Sequence, residues 1–322
     1  MLTGDWGGLR ADLFERGVKV QGTYAGELFA APGLDGDRVV AAGLAALALD
    51  LELATLSGVD HLGSVHVSAF GIHGRGLSER LMDVFGVSNN VAQTGVRLFE
   101  AWLEQSLGPF AVRAGLLAAD QELVLAEHST VLLNATFGIV AMVSYNIGNP
   151  VYPVATPGAS ARLETGPVTV RAALYDGDQH NDHGVPSELG DDALAIGELD
   201  LAGTLKLGGW HHTSRGNGYF AIADRQLERH LGAFARLSVA PDKPIPVYVD
   251  TGIRIGPGPL RPRDFASLGL AFARSEHGAQ TGIELTYQLL VKGWLTIQPD
   301  AQLLLTRDGT AGVLAARAVV AL

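Results

Sequence analysis

The feature that most constrains this chain is a succession of segments, each of roughly ten residues, in which apolar and polar side chains alternate with period two. From Val18 onward, clusters of Gly, Pro, Asp and Asn separate these segments, as turns between strands require. In residues 168–174, for example, Val168, Val170, Ala172 and Leu174 share one face and Arg171 lies on the other. The pattern predicts β-strands with one apolar and one polar face.

The same alternation recurs along most of the chain. It is clear in residues 110–115, where Arg113 occupies the polar face, and in residues 247–254, 283–289 and 295–303. Pro299 interrupts the last of these segments. Because proline removes a hydrogen-bond donor from the ladder, we expect a bulge or an irregular pairing there.

Two fold classes produce such a pattern, and composition distinguishes between them only in part. The chain is 47% hydrophobic and only 18% charged, yet it contains no run of eighteen apolar residues that a membrane-spanning helix would need. One candidate is a large soluble β protein, and the other is a barrel whose lipid-facing and lumen-facing residues alternate. The polar faces carry isolated Arg and Glu among Thr, Gln and Gly, which favours the barrel without excluding the soluble protein.

Charge and cysteine content exclude several partners. The net charge is −11, so the chain offers no basic surface for a nucleic acid, and we expect no nucleic-acid partner. The absence of Cys rules out disulfides and thiolate metal sites, and it suits passage through an oxidising periplasm. Residues 1–8 have neither the basic start nor the apolar centre of a signal peptide, so we expect either a mature exported form or a gene start placed too late.

One segment near the N-terminus reads as a helix. Residues 9–16 place Leu9, Leu13 and Phe14 towards one side, and Gly17 follows as a stop signal. We therefore divide the chain into an N-terminal segment with a short helix, residues 1–17, and a barrel, residues 18–322.

A series of motifs, in order along the chain, resembles the carbohydrate-selective porin (OprB) family. The series consists of Leu2–Arg10, Phe70–Ser78, Arg97–Gln105, Val112–Gly115, Asn134–Gly138, Tyr152–Pro153 with Ala155–Gly158, Tyr175–Asp178, Glu284–Gln288 and Trp294–Asp300. Each motif is weak alone, and their joint order is specific. The chain departs from outer-membrane barrels in ending on Leu322 rather than on an aromatic residue, and it is shorter than typical members, which suggests trimmed loops.

The resemblance implies an all-β fold, a transmembrane antiparallel β-barrel of sixteen strands with short periplasmic turns and longer outer loops folded toward the pore. It implies a bacterial outer-membrane location, lipid around the barrel, and passive diffusion of monosaccharides such as glucose without a cofactor. The oligomeric state is left open. The alternatives are a soluble β-rich glycan-binding protein and an outer-membrane hydrolase barrel.

The candidate pore-lining residues follow from the polar faces of the strands. Arg75 lies between Gly74 and Gly76, where the backbone can bend, and is either a constriction residue or a turn residue at the rim. The apolar parity of Phe99, Ala101 and Leu103 leaves the other face to Glu100, Trp102 and Glu104. Arg113 and Arg171 complete the set, and an ordinary ladder of lumen charges is the simpler interpretation of Arg171 and of Arg254.

Other motifs carry no chemistry of their own. Residues 176–183 cluster Asp, His and Asn side chains but lack the calcium-loop pattern, which indicates a solvated outer loop. His211 and His212 have no further ligands at zinc spacing, so we predict no metal site. No nucleophile elbow, phosphate-binding loop or zinc-protease motif occurs, which argues against an enzyme.

Overall fold

The alternating segments fold into one closed antiparallel sheet. The computed structural model describes residues 1–33, 39–139, 141–178, 189–258, 261–275, 278–307 and 309–322, leaving out the side chains of residues 141 and 142. Within these residues each strand pairs with its neighbours in sequence, and β1 pairs with β16 to close the barrel. The sixteen strands are β1 Val18–Ala30, β2 Val39–Glu52, β3 Ser64–Gly74, β4 Gly95–Leu107, β5 Phe110–Leu117, β6 Thr156–Thr165, β7 Val168–Asp176, β8 Ala193–Leu201, β9 Leu205–His212, β10 Gly216–Glu228, β11 Leu231–Val239, β12 Val247–Ile255, β13 Phe265–Ser275, β14 Gly278–Lys292, β15 Leu295–Thr306 and β16 Gly309–Ala321.

The helices are short and lie before the first strand or in the connections between strands. They are α1 Leu9–Glu15, α2 Leu53–Ser57, α3 Ser78–Leu81 and α4 Ala141–Ile147, with 3-10 turns at Ala119–Gln121, Glu127–Ser129 and Ala135–Phe137. In the described part of the chain, none of these helices has the length and apolar content that a membrane span needs.

The N-terminal helix forms where the sequence predicts it. It ends at Glu15, and Gly17 follows with a φ of 82°, a left-handed conformation that favours glycine. Arg10 donates to the main-chain oxygens of Leu322 and Val20 at 3.0 and 3.2 Å, and therefore holds α1 against the strand ends where the barrel closes. The division into residues 1–17 and 18–322 as separate units stays a prediction.

The apolar faces of the strands point outward. On β7 the outward side chains Val170 and Leu174 are 44% and 57% exposed, whereas Arg171 turns inward to Glu198. The same arrangement holds on β5, β12 and β14, as the alternation predicts. A soluble β protein would place its charges outward, so that alternative is wrong.

Pro299 disturbs the sheet, as predicted, but without a bulge. On the β14–β15 ladder Thr286 pairs with Asp300 and Leu289 with Ile297, while Tyr287 and Gln288 have no partners between them. The register is the same on both sides of this gap. Proline thus interrupts the pairing locally without inserting a residue.

A bulge occurs instead between β3 and β4. Val67 pairs with Ala101 and Ala69 pairs with Leu98, so Ser68 alone faces both Phe99 and Glu100. Because of the extra residue, Phe99 points inward together with Glu100, and the two are 2% and 6% exposed. The expectation that Phe99 lies on the outer face with Ala101 and Leu103 is therefore wrong, because the bulge shifts the parity of the strand.

Two long connections, both at the same end of the barrel, fold into its interior. We call residues 75–94 the first long loop and residues 118–155 the second long loop. The opposite end of the barrel has tight turns, such as residues 108–109 and 166–167. Apolar side chains of the loops pack against inward apolar side chains of the wall in one buried core. Its members include Leu77, Phe85, Leu123, Leu132 and Phe137 from the loops and Phe29, Trp210, Phe220, Phe234 and Tyr248 from the strands.

Candidate functional site

A cavity remains beside this core, against the inner faces of the first five strands. Its volume is about 460 Å³. Strands β1 and β2 contribute mostly small or neutral side chains such as Thr23, Ala46 and Ala48, and β3 to β5 contribute the charged and aromatic ones. The second long loop closes one side with Gln121. The cavity is therefore the space that the loops leave open inside the barrel.

A connected network of charged side chains reaches this cavity through Arg113, which lines it. Arg113 donates to Glu104 from Nε and Nη2 at 3.1 and 2.7 Å, and its Nη1 lies 3.6 Å from Glu122. Arg162 lies 3.8 Å from both Glu104 and Glu122. The two hydrogen bonds to Glu104 fix the plane of the Arg113 guanidinium and leave further N–H donors for a solute. The Nε of Arg162 lies closest to Glu164, at 2.9 Å.

An aromatic stack adjoins the network. The ring of His66 stacks on Trp102 with 5.0 Å between centroids, and the Arg113 guanidinium lies 3.9 Å from the Trp102 ring centroid. Asp50 accepts a hydrogen bond from Nδ1 of His66 at 2.6 Å and from Nε2 of Gln21 at 3.1 Å. The neighbours that pack on the Trp102 ring are therefore held in place by hydrogen bonds of their own.

The structure brings four of the six predicted residues together. Glu100, Trp102 and Arg113 line the cavity, and Glu104 is the ion-pair partner of Arg113. The main-chain N–H of Ala118 donates to Glu100 at 3.0 Å and so links this carboxylate to the second long loop.

The other two predicted residues lie apart from this group. Arg171 points inward from β7 and contacts Glu198 and Asp200 at 3.2 and 3.3 Å, as a member of a charge ladder would. Arg75 is exposed just beyond the end of β3, where its N–H donates to Ala41 O at 3.0 Å, and it is not among the residues that line the cavity. Its placement fits a turn residue at the rim.

Several members of the site were not among the residues predicted from the sequence. Arg162 shares the parity of Ser160 on β6, so the alternation could have identified it. The pairing of Asp50 with His66 depends on the register between β2 and β3, which period two alone does not fix. Glu122 comes from the second long loop, whose irregular backbone carries no periodic signal.

The two histidines that we considered as zinc ligands lie in different surroundings. His211 is exposed and contacts Asn217 at 2.7 Å, whereas His212 is buried with Nε2 at 2.9 Å from Gly177 O. Of the segment 176–183, residues 179–183 lie outside the described residues. Among the side chains that the structure does describe, no group of three or more His, Cys, Asp or Glu could hold a metal ion.

Comparisons with known proteins agree with this architecture. The family described as carbohydrate-selective porin, OprB family, matches residues 40–217 and 214–320. The high-pH structure of Pseudomonas putida OprB is 18% identical with a TM-score of 0.90, covering 99% of this chain and 98% of that one. The low-pH structure of the same protein, also 18% identical, has a TM-score of 0.68 and covers 100% and 98%.

A more distant barrel shows the same fold. A mutant Rh. blastica porin is 12% identical with a TM-score of 0.59, covering 95% of this chain and 100% of that one. No curated protein matched the chain.

Proposed function

The chain belongs to the carbohydrate-selective porin (OprB) family, and from this premise we propose that small neutral sugars such as glucose diffuse through the cavity beside Glu104 and Arg113. The protein is an outer-membrane porin, so the solute moves down its own gradient. The observation that carries the proposal is the network of Glu104, Arg113, Glu122 and Arg162, which presents the Arg113 guanidinium to the cavity.

Such a network suits hydroxyl groups. A sugar hydroxyl both donates and accepts hydrogen bonds, and the network offers guanidinium N–H donors beside carboxylate acceptors. The opposite charges within these ion pairs partly neutralise one another, so a neutral polar solute does not have to displace a counterion. We assign direct contact with sugar to Glu100 and Arg113, which line the cavity. We propose that Glu104 orients the Arg113 guanidinium and that Trp102 shapes the wall beside it.

The first test is single-channel conductance of the refolded protein in a planar bilayer while glucose is titrated against the ion current. We expect stepwise openings that glucose blocks. Arg113→Ala should widen the cavity, raise the conductance and weaken the block roughly tenfold, because hydrogen bonds to a charged group are lost.

Arg274→Ala is the matched control. It removes the same charge from an exposed position on β13 and should leave both quantities unchanged. Openings without glucose block would contradict the sugar assignment. Equal block in the two variants would contradict the role of Arg113.

We also propose that the protein is a channel rather than an enzyme. The hydrolase alternative predicts release of fatty acid from a lipid ester by the folded protein in detergent. A rate above that of the heat-inactivated sample would contradict our proposal.

A further inference from the structure

The aromatic side chains of the cavity differ in what they can offer a solute. Trp102, Phe99 and Phe70 line the described cavity. The Trp102 ring already packs against both the His66 ring and the Arg113 guanidinium. Phe99 is only 2% exposed, whereas Phe70 is half-buried. Phe70 therefore presents the aromatic surface that a solute in the cavity can reach.

Two other aromatic rings pack against the ring of Phe70. Phe99 stacks on it with centroids 4.5 Å apart and an interplanar angle of 26°, and Tyr152 lies tilted at 5.6 Å. Tyr152 is itself anchored, because its hydroxyl donates to Asn90 O at 2.7 Å and its N–H donates to Asp120 at 2.9 Å. These contacts tie the ring to both long loops.

The bulge between β3 and β4 creates this arrangement. Without the extra residue opposite Ser68, Phe99 would face lipid with Ala101, and Phe70 would lose the ring that stacks on it. The same bulge places the Glu100 carboxylate next to the aromatic pair, on the wall of the same cavity. A flat apolar surface and hydrogen-bonding groups thus lie side by side.

We infer that Phe70 is a stacking platform for the C–H face of a ring sugar whose hydroxyls point toward Glu100 and Arg113. The inference rests on the proposed function and narrows its substrate class to pyranoses over open-chain polyols. A pyranose has a flat face of C–H groups that can pack on the electron-rich face of an aromatic ring. An open-chain polyol of similar size carries the same hydroxyls without that face.

The test compares Phe70→Leu with the unaltered protein by the block of ion current, using glucose and its open-chain reduction product glucitol as probes. We expect the Kd for glucose to rise roughly three- to tenfold in Phe70→Leu, and the weaker effect of glucitol to stay unchanged. Phe70→Tyr keeps the ring and should retain the affinity for glucose. Phe110→Leu makes the same change on the outward face of β5 and is the matched control.

The outcomes separate this inference from the proposed function. If the unaltered protein is blocked by glucose and Phe70→Leu is blocked equally well, the platform is wrong and the sugar channel stands. An equal rise in Kd for glucose and glucitol in Phe70→Leu would also overturn the inference, because the substitution would then act through the width of the channel. If glucose does not block the unaltered protein, the proposed function and the inference both fail. Should Phe70→Leu form no channels, Phe70→Met provides the same comparison.

Discussion

At the scale of single residues, Asp120 is an ionisable group placed where its charge is costly. It lies in the second long loop, where Oδ2 accepts the N–H of Tyr152 at 2.9 Å. In the described structure Oδ1 is buried and has no hydrogen-bond partner. The residue as a whole is half-buried, but its carboxyl group is enclosed. Burial raises the pKa of Asp120 from 3.8 to about 6, and the hydrogen bond from Tyr152 offsets only part of this effect.

This raised pKa predicts a pH dependence of stability. The folded protein binds the proton more tightly than the unfolded chain, so stability falls as pH rises from about 4 to about 6 and then levels off. The loss is of the order of 3 kcal/mol. Asp120→Asn should abolish it and raise the Tm at pH 7 by a few degrees, measured by thermal unfolding in detergent between pH 4 and pH 7.

The control for this prediction is Asp60→Asn, which changes an exposed carboxyl in the connection between β2 and β3. It should keep the pH profile of the unaltered protein. A profile that Asp120→Asn leaves unchanged would show that the carboxyl is solvated in the folded state.

At the scale of elements, the second long loop is held by inward-pointing carboxylates of the barrel strands. Glu284 on β14 accepts the main-chain N–H groups of Leu133 and Asn134, the latter at 2.9 Å. Glu198 on β8 accepts the N–H of Val124 at 3.0 Å. The strands thus supply the acceptors that the irregular backbone of the loop needs once it leaves water.

Removing one of these acceptors should loosen the loop. Glu284→Ala leaves two buried N–H groups unpaired, at a cost of about 1 to 3 kcal/mol for each. We expect noisier single-channel currents and faster cleavage of residues 118–155 by protease. Glu228→Ala removes an exposed carboxylate from the end of β10 and should change neither. A quiet, protease-resistant Glu284→Ala channel would show that the other anchors suffice.

Prediction from the sequence succeeded for the regular strands, whose geometry repeats. It failed at the bulge and in the long loops, whose geometry does not repeat. The faces of β5, β7 and β12 follow from alternation alone, because neighbouring side chains on a strand point to opposite sides. The bulge opposite Ser68 turned Phe99 to the inner side of β4. Alternation could not predict this, because the position of a bulge depends on how β4 pairs with β3. Glu122 reaches the cavity through loop packing, which leaves no periodic trace in the sequence.

At the scale of the whole molecule, the seam between β1 and β16 closes the barrel with a buried ion pair. Glu27 and Arg317 are 3% and 9% exposed and contact each other across the seam. The first long loop covers the pair, because Ser88 donates to Glu27 at 2.7 Å and Arg317 donates to Asn89 at 2.6 Å. This one cluster of side chains therefore links the closure of the barrel to the packing of the first long loop.

Breaking this pair should weaken the closed barrel more than an average substitution does. Arg317→Ala leaves a buried carboxylate without its cation, at a cost of about 3 to 5 kcal/mol. The temperature at which the folded band is lost in semi-native electrophoresis should fall accordingly. Arg307→Ala, at an exposed position, is the control. The double variant Glu27→Ala with Arg317→Ala should be less destabilised than the sum of the single ones, and full additivity would contradict the coupling.

The apolar core between loops and wall sets a limit for protein engineering. Deleting residues 118–155 to obtain a wider conduit would leave Trp210, Phe220 and Phe234 facing water inside the barrel. These side chains would then favour collapse of the lumen or adhesion to other molecules. A wide channel on this scaffold would need the inner faces of β9, β10 and β11 rewritten with polar residues before any loop is shortened.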